Sequence, residues 1–107
     1  MADWLQVARI EDLPPGTIVR VEGDDGPIAV ANLNGEFYAV ANICTHQAAE
    51  LHEGELEADG ELICPAHGAQ FDIRTGEAMT PPAFENLATY SLRTDDGVVY
   101  VHSQAAE

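Results

Sequence analysis

The sequence has few basic residues: only four Lys or Arg residues stand against 19 acidic residues, and the formal net charge is −15. A chain this acidic is a poor partner for nucleic acid or for an anionic membrane surface, because both carry negative charge. The charge favours instead a protein partner with a basic docking face, which long-range attraction would help it to find. The simpler alternative is that the acidity only keeps the protein soluble.

Long apolar runs are also missing. No stretch approaches the roughly 20 consecutive apolar residues that a transmembrane helix needs. Residues 1–4 lack the basic region and the apolar stretch of a secretory signal. The sequence therefore predicts a soluble, cytoplasmic protein. Its 107 residues, of which 46% are hydrophobic, predict one globular domain over residues 1–107.

Short strand-like segments separated by turn residues predict an all-β fold. Residues 28–33 and 36–42 flank Asn34-Gly35, a dipeptide that favours the positive φ angles of a tight type I′ turn, so this stretch is predicted to be a hairpin. A second hairpin is predicted near the end of the chain, with its first strand over residues 87–94.

Chemistry-bearing residues are concentrated in two short motifs. The chain has two cysteines and four histidines. The motif C-T-H contributes Cys44 and His46, and the motif C-P-A-H-G contributes Cys64 and His67. Residues two or three apart at a turn can direct their side chains at the same small object. Two thiolates and two imidazoles are the donor set of a [2Fe–2S] cluster with both sulfurs on one iron and both imidazoles on the other. These four residues are the predicted metal and cofactor ligands, and no catalytic residue is predicted.

Two other interpretations of the motifs remain open at this point. Zinc also binds two cysteines and two histidines, although the usual zinc finger places its cysteines together and its histidines later. The chain could then be a zinc-stapled interaction module. A disulfide between Cys44 and Cys64 is disfavoured in a cytoplasmic protein. The remaining histidines, His52 and His102, are interpreted as ordinary surface or strand residues.

The two motifs and their spacing resemble those of the Rieske proteins. The similarity covers nearly the whole chain, from the Leu-Pro-Pro-Gly turn at 13–16 to the closing hairpin. It implies an all-β Rieske fold of three antiparallel sheets. It also implies a small cluster-binding subdomain, at about residues 43–82, set on a base formed by the two ends of the chain.

Differences within that family indicate a subgroup. Rieske subunits of respiratory and photosynthetic cytochrome complexes carry a disulfide between the loops, where this chain has Ala49 and Ala66. They also carry serine and tyrosine hydroxyls that donate to cluster sulfurs, where this chain has Ala69 and Phe71. The chain therefore resembles the Rieske-type ferredoxins. Without those hydroxyls, the reduction potential is predicted near the low end, about −150 mV, of the Rieske range.

The resemblance implies an electron-transfer protein rather than an enzyme. Such a ferredoxin holds one Rieske [2Fe–2S] cluster and carries electrons from a flavoprotein reductase to the terminal oxygenase of an aromatic-ring-hydroxylating dioxygenase system. We expect a monomer that meets both partners through transient, electrostatic contacts. The chain is also too short to add a mononuclear iron site, since His52 and His102 are the only histidines left. The alternative within the family is a small Rieske subunit of an assimilatory nitrite reductase.

Overall fold

A computed structural model describes residues 4–43, 49–65, 68–79 and 85–106. The strands within these ranges are β1 (Trp4–Arg9), β2 (Ile18–Gly23), β3 (Gly26–Leu33), β4 (Glu36–Ala41), β5 (Glu55–Leu56), β6 (Glu61–Ile63), β7 (Gln70–Asp72), β8 (Leu92–Asp95) and β9 (Val98–His102). They form three antiparallel three-stranded sheets, ordered β1-β9-β8, β2-β3-β4 and β5-β6-β7. The prediction of an all-β fold with three antiparallel sheets is confirmed.

Helical structure in the described ranges is limited to two 3-10 turns, Ile10–Asp12 and Leu51–Glu53. No helix there is long and apolar enough to cross a membrane. The second turn follows the first motif closely and leads into β5. It occupies a stretch rich in acidic residues.

The predicted hairpin between β3 and β4 is confirmed. Asn34 and Gly35 have φ angles of 54° and 98°, the positive values that a type I′ turn requires. The strands pair in register from Leu33↔Glu36 to Ile28↔Ala41. The hairpin ends directly before the first motif, so the local turn chemistry sets where that motif begins.

Two hydrophobic cores lie on opposite faces of the central sheet β2-β3-β4. Successive residues of a strand point to opposite faces, and β3 serves both cores. Ile28 and Val30 pack with the sheet β1-β9-β8. Ala29 and Ala31 pack instead with residues of β6 and β7. The sheet β5-β6-β7 therefore rests on the central sheet, opposite the strands that hold the chain ends.

The closing hairpin differs from its prediction at one end. β8 begins at Leu92, because the residues before it hydrogen-bond to other parts of the chain. The Leu87 N–H donates to Gly76 O at 2.7 Å, and the Tyr90 N–H donates to Ala39 O at 2.9 Å. These contacts tie the segment to the loop after β7 and to β4. Local turn signals do not encode such long-range pairing.

Gly76 lies at the tightest of these contacts. Its φ angle is +77°, and a Cβ atom at this position would lie 2.3 Å from Leu87 O. Both the backbone conformation and the space therefore exclude a side chain. Gly97 offers a matched comparison, because its φ is +78° but the nearest atom to a Cβ there, on Arg9, is 3.8 Å away.

We expect Gly76→Ala to lower the free energy of unfolding by about 2–3 kcal/mol. The left-handed conformation costs a residue with a side chain about 1–2 kcal/mol, and displacing Leu87 weakens the hydrogen bond from its N–H to Gly76 O, worth about 1 kcal/mol. Gly97→Ala should show only the conformational cost. Urea unfolding of both variants measures the difference. Equal losses at the two positions would contradict the role assigned to the Leu87 contact.

Candidate metal centre

Of the four predicted ligands, Cys64 lies in the described part of the chain. Cys44, His46 and His67 lie outside the described residues. Cys64 directly follows β6 and is 1% exposed. It belongs to the core between the central sheet and β5-β6-β7. The second motif is thus anchored at its first residue by packing.

The loop of the second motif is closed by the β6–β7 hairpin. Leu62 pairs with Phe71 in the register of these strands. At the base of the loop, the Cys64 N–H donates to Ala69 O at 2.8 Å. Gly68 has a φ of +70°, a conformation that glycine adopts without strain. The chain therefore reverses within a few residues after Cys64.

The loop of the first motif is closed in a similar way. Ile43 and Glu50, which flank it, form an isolated antiparallel bridge. The Leu51 N–H donates to Asn42 O at 2.7 Å. Leu51 is fully buried in the same core as Cys64. One core thus fixes the chain immediately outside both motifs.

Side-chain contacts add to this closure of the first loop. Asn42 is fully buried, and its carboxamide contacts both Glu50 and His52. Arg20 of β2 also pairs with Glu50. No local sequence pattern indicates this group of side chains, because its members come from separate segments. His52, expected to be an ordinary surface or strand residue, is half-buried with a side-chain exposure of 25%.

His102 lies at the end of β9, as expected. Its ring packs edge-on against Trp4, with 5.1 Å between the ring centroids. The two residues pair across β1 and β9, in the sheet on the opposite side of the central sheet from Cys64. His102 therefore has a packing role remote from the candidate centre.

A cavity of about 330 Å³ opens beside Cys64. Its lining residues are Glu53, Gly54, Glu55, Ile63, Cys64, Pro65 and Gly68. Cys64 lies on the wall of this cavity, in a motif that also contains His67, and this placement suits a metal centre near the surface. Elsewhere in the described ranges, no group of three His, Cys, Asp or Glu side chains could hold a metal ion.

The positions expected to lack hydroxyls are apolar and closed to solvent. Ala69 and Phe71 are both 0% exposed and pack in the same core as Cys64. Neither side chain can donate a hydrogen bond. The second loop is therefore surrounded by apolar packing on its inner side.

Three described groups have shifted pKa values. A hydrogen bond with Glu22 is the main cause that raises the pKa of Arg20. Burial is the main cause that raises the pKa of Tyr38 and of Tyr90. Each shift strengthens the protonation state that the group already has near neutral pH, so Arg20 stays a cation and both tyrosines stay neutral.

The Rieske [2Fe–2S] domain model matches residues 3–91 of the chain. Over 94 residues the chain is 36% identical to the ferredoxin component of the naphthalene 1,2-dioxygenase/salicylate 5-hydroxylase systems of Ralstonia sp, which covers 88% of this chain and 89% of that protein. Over 99 residues it is 37% identical to the 3-phenylpropionate/cinnamic acid dioxygenase ferredoxin subunit of Shigella flexneri, covering 92% of both chains.

A solved structure has the same fold. It comes from the complex of reduced oxygenase and oxidized ferredoxin in carbazole 1,9a-dioxygenase. The matching chain is 35% identical to this one, with a TM-score of 0.92, and the match covers 97% of this chain and 96% of that chain.

These matches decide between the interpretations of the two motifs. The family model spans both motifs, and the cofactor is a Rieske-type [2Fe–2S] cluster rather than zinc. The expected role of electron carrier, rather than enzyme, is confirmed by relatives that are ferredoxin components. The chain belongs to the Rieske [2Fe–2S] domain family and, within it, to the Rieske-type ferredoxins.

Proposed function

We propose that this protein carries single electrons from a flavoprotein reductase to the terminal oxygenase of an aromatic-ring dioxygenase system. The observation that carries the proposal is that this chain and a ferredoxin component match over most of the length of both. The Ralstonia ferredoxin component is matched over 88% of this chain and 89% of its own length. The chain thus resembles a ferredoxin component over almost the whole length of that component.

The four motif residues would hold the cluster. Cys44 and Cys64 would bind one iron through their thiolates, and His46 and His67 would bind the other through imidazole nitrogens. The bound cluster supplies the chemistry, because it accepts one electron and gives it back. The four residues would hold it between the two motifs. No substrate needs to enter, since only the electron is transferred.

Metal content tests this assignment. We expect anaerobically purified protein to contain two irons and two acid-labile sulfides per chain, as the [2Fe–2S] family implies, and to give a Rieske-type electron paramagnetic resonance signal after reduction. His67→Ala should abolish that signal because one ligand is lost. His102→Ala, a control remote from the motifs, should keep it. One zinc per chain without sulfide would refute the assignment.

The apolar position at Ala69 offers a test of the predicted low potential. Ala69→Ser would place a hydroxyl beside the second loop. A hydroxyl that donates to sulfur favours the reduced, more negative cluster by about 1 kcal/mol, which raises a one-electron potential by about 40 mV. The matched control is Ala58→Ser, the same change at an exposed position. Redox titration measures both. An unchanged potential in Ala69→Ser would argue against cluster sulfur near this side chain.

The surface between the two motifs would form the docking face for the partners. It is strongly acidic, with Glu50, Glu53, Glu55, Glu57, Asp59 and Glu61. Glu53 and Glu55 are exposed and line the cavity beside Cys64. A partner whose docking face carries Lys or Arg would be attracted to the place from which an electron leaves. Such attraction mainly increases the rate of association and weakens with salt.

The double variant Glu53→Gln/Glu55→Gln tests this face. We expect its association with the oxygenase at low salt to slow by about three- to tenfold, because two steering charges are lost. The control Asp95→Asn/Asp96→Asn removes the same charge from the β8–β9 turn, where asparagine also tolerates the φ of 52° at position 96. Stopped-flow kinetics over a salt series measures both variants.

Equal slowing in the acidic-face variant and its control would contradict a localised docking face. Salt-resistant co-purification with a large subunit would instead favour the nitrite reductase alternative. Reversible, salt-sensitive binding supports the shuttle.

A further inference from the structure

A buried polar side chain lies at the base of the first ligand loop. Asn42 is 0% exposed, and its Oδ1 accepts a hydrogen bond from the backbone N–H of His52 at 2.8 Å. A backbone N–H can only donate, so this contact fixes which end of the carboxamide is oxygen. The Nδ2 group must therefore face the other way. It lies 3.2 Å from Glu50 Oε1 and 3.1 Å from His52 Nδ1.

The Glu50 carboxylate connects this amide to the central sheet. Its Oε1 accepts from Asn42 Nδ2 and also pairs with Arg20 Nη1 of β2. Arg20 contacts Glu22 Oε1 at 2.6 Å as well, so the guanidinium is held between two carboxylates. Hydrogen bonds between charged groups are stronger than those between neutral ones. Asn42, Glu50 and Arg20 are called the loop latch below.

The latch joins the two ends of the first ligand loop. Asn42 lies before Cys44, and Glu50 lies after the loop. The backbone already closes the loop through the Ile43–Glu50 bridge and the Leu51 N–H to Asn42 O bond. The latch adds a side-chain connection across the same gap and extends it to Arg20. A shift of either end would break several hydrogen bonds at once.

A buried amide has an energetic cost that needs an explanation. Burial without partners destabilises a carboxamide by several kcal/mol on apolar transfer scales, about 1–3 kcal/mol in proteins. At Asn42 the carboxamide is fully engaged, and each of its side-chain contacts lies across the first loop. An apolar side chain could fill the space, but it could not orient Glu50. Filling the core therefore does not account for Asn42.

We propose that Asn42 and Glu50 are positioning residues for the cluster. Together with Arg20 they fix the loop that carries Cys44 and His46, and thereby the geometry and the charge that the cluster experiences. This inference rests on the proposed function, because it takes Cys44 and His46 as ligands. It assigns a positioning role in electron transfer to side chains that lie outside the two motifs.

The sharpest test is Asn42→Asp, measured at pH 8. The variant keeps an oxygen for the His52 N–H, but it replaces the Nδ2 donor with an acceptor that faces Glu50. We expect cluster loss to an iron chelator to become about tenfold faster, because one lost hydrogen bond of about 1.4 kcal/mol corresponds to that factor. We also expect a broadened electron paramagnetic resonance signal and a displaced midpoint potential.

The matched control is Asn34→Asp at the other end of β4. It makes the same chemical change, and its amide donates to Ala58 O at 3.1 Å, a contact outside the latch. Its cluster-loss rate should stay within about twofold of the parent. If Asn42→Asp loses thermal stability while the loaded protein keeps the parental signal and potential, Asn42 is merely structural and the proposal is wrong.

A second pair of variants decides the matter if Asn42→Asp cannot be loaded. Glu50→Gln removes the latch carboxylate, whereas Glu22→Gln removes a carboxylate that contacts Arg20 outside the latch. Both change the net charge equally. The potential and the signal should change more in Glu50→Gln. Equal changes would overturn the proposal.

Failure of the parent protein to show two irons and a Rieske-type signal would refute the proposed function instead, so the two failures are distinguishable.

Discussion

For the two motifs to share one metal cluster, as proposed, they must keep a fixed position relative to each other, and a single hydrophobic core provides this constraint. Leu51 follows the first motif and Leu62 precedes the second. Both are fully buried in the core that also contains Ala29 and Ala31 of β3. The small side chains of β3 let the sheet β5-β6-β7 approach closely. Burial of the two leucines contributes roughly 1.5–3 kcal/mol each to the free energy of unfolding. The same interaction that stabilises the fold therefore also holds the chain on the outer sides of the two motifs in place.

The strong negative charge of the chain is left largely uncompensated by its few cations. Three of the four arginines pair with a carboxylate nearby, as in Arg9–Glu11 and Arg74–Asp72. Exposed pairs of this kind contribute little to stability. The fourth, Arg93, stacks over Trp4 and Tyr100 in the sheet on the far side from Cys64. No Lys or Arg occurs between Glu50 and Glu61 in the sequence, and Arg74 reaches only the far end of this stretch, where it donates to Asp59 O at 2.9 Å.

How much of the fold could be predicted from the sequence depended on the distance along the chain between interacting residues. The β3–β4 hairpin was predictable because Asn34 and Gly35 determine its turn by themselves. The start of β8 was not, because Leu87 and Tyr90 bond to residues far away in sequence. Local propensities carry no information about such pairings.

The same limit applies to the candidate site. The donor set was predicted from the sequence because cysteine and histidine in short motifs have few other uses, and of its four residues the structure describes Cys64. The contacts of Asn42 were not evident, since asparagine before a turn is common and Glu50 resembles its acidic neighbours. Arg20 meets Glu50 across 30 positions of sequence, which no local pattern encodes. His52, interpreted as an ordinary surface or strand residue, is half-buried and contacts Asn42, and no local pattern indicates that contact.

The two loops are secured by different kinds of interaction, and this difference has a physical consequence. The second loop is held by the Cys64 N–H to Ala69 O bond and by apolar packing of Ala69 and Phe71. Those contacts respond weakly to charge. The first loop is held by a carboxamide and by the Arg20–Glu50 pair, whose strength depends on the local field. In the proposed assignment, reduction of a cluster held by Cys44 and His46 would add a negative charge that the Arg20 cation stabilises and the Glu50 carboxylate opposes. The contacts that flank the first loop would therefore be the part of the scaffold that couples most directly to the redox state, while the apolar packing of Ala69 and Phe71 would hold the second loop in place.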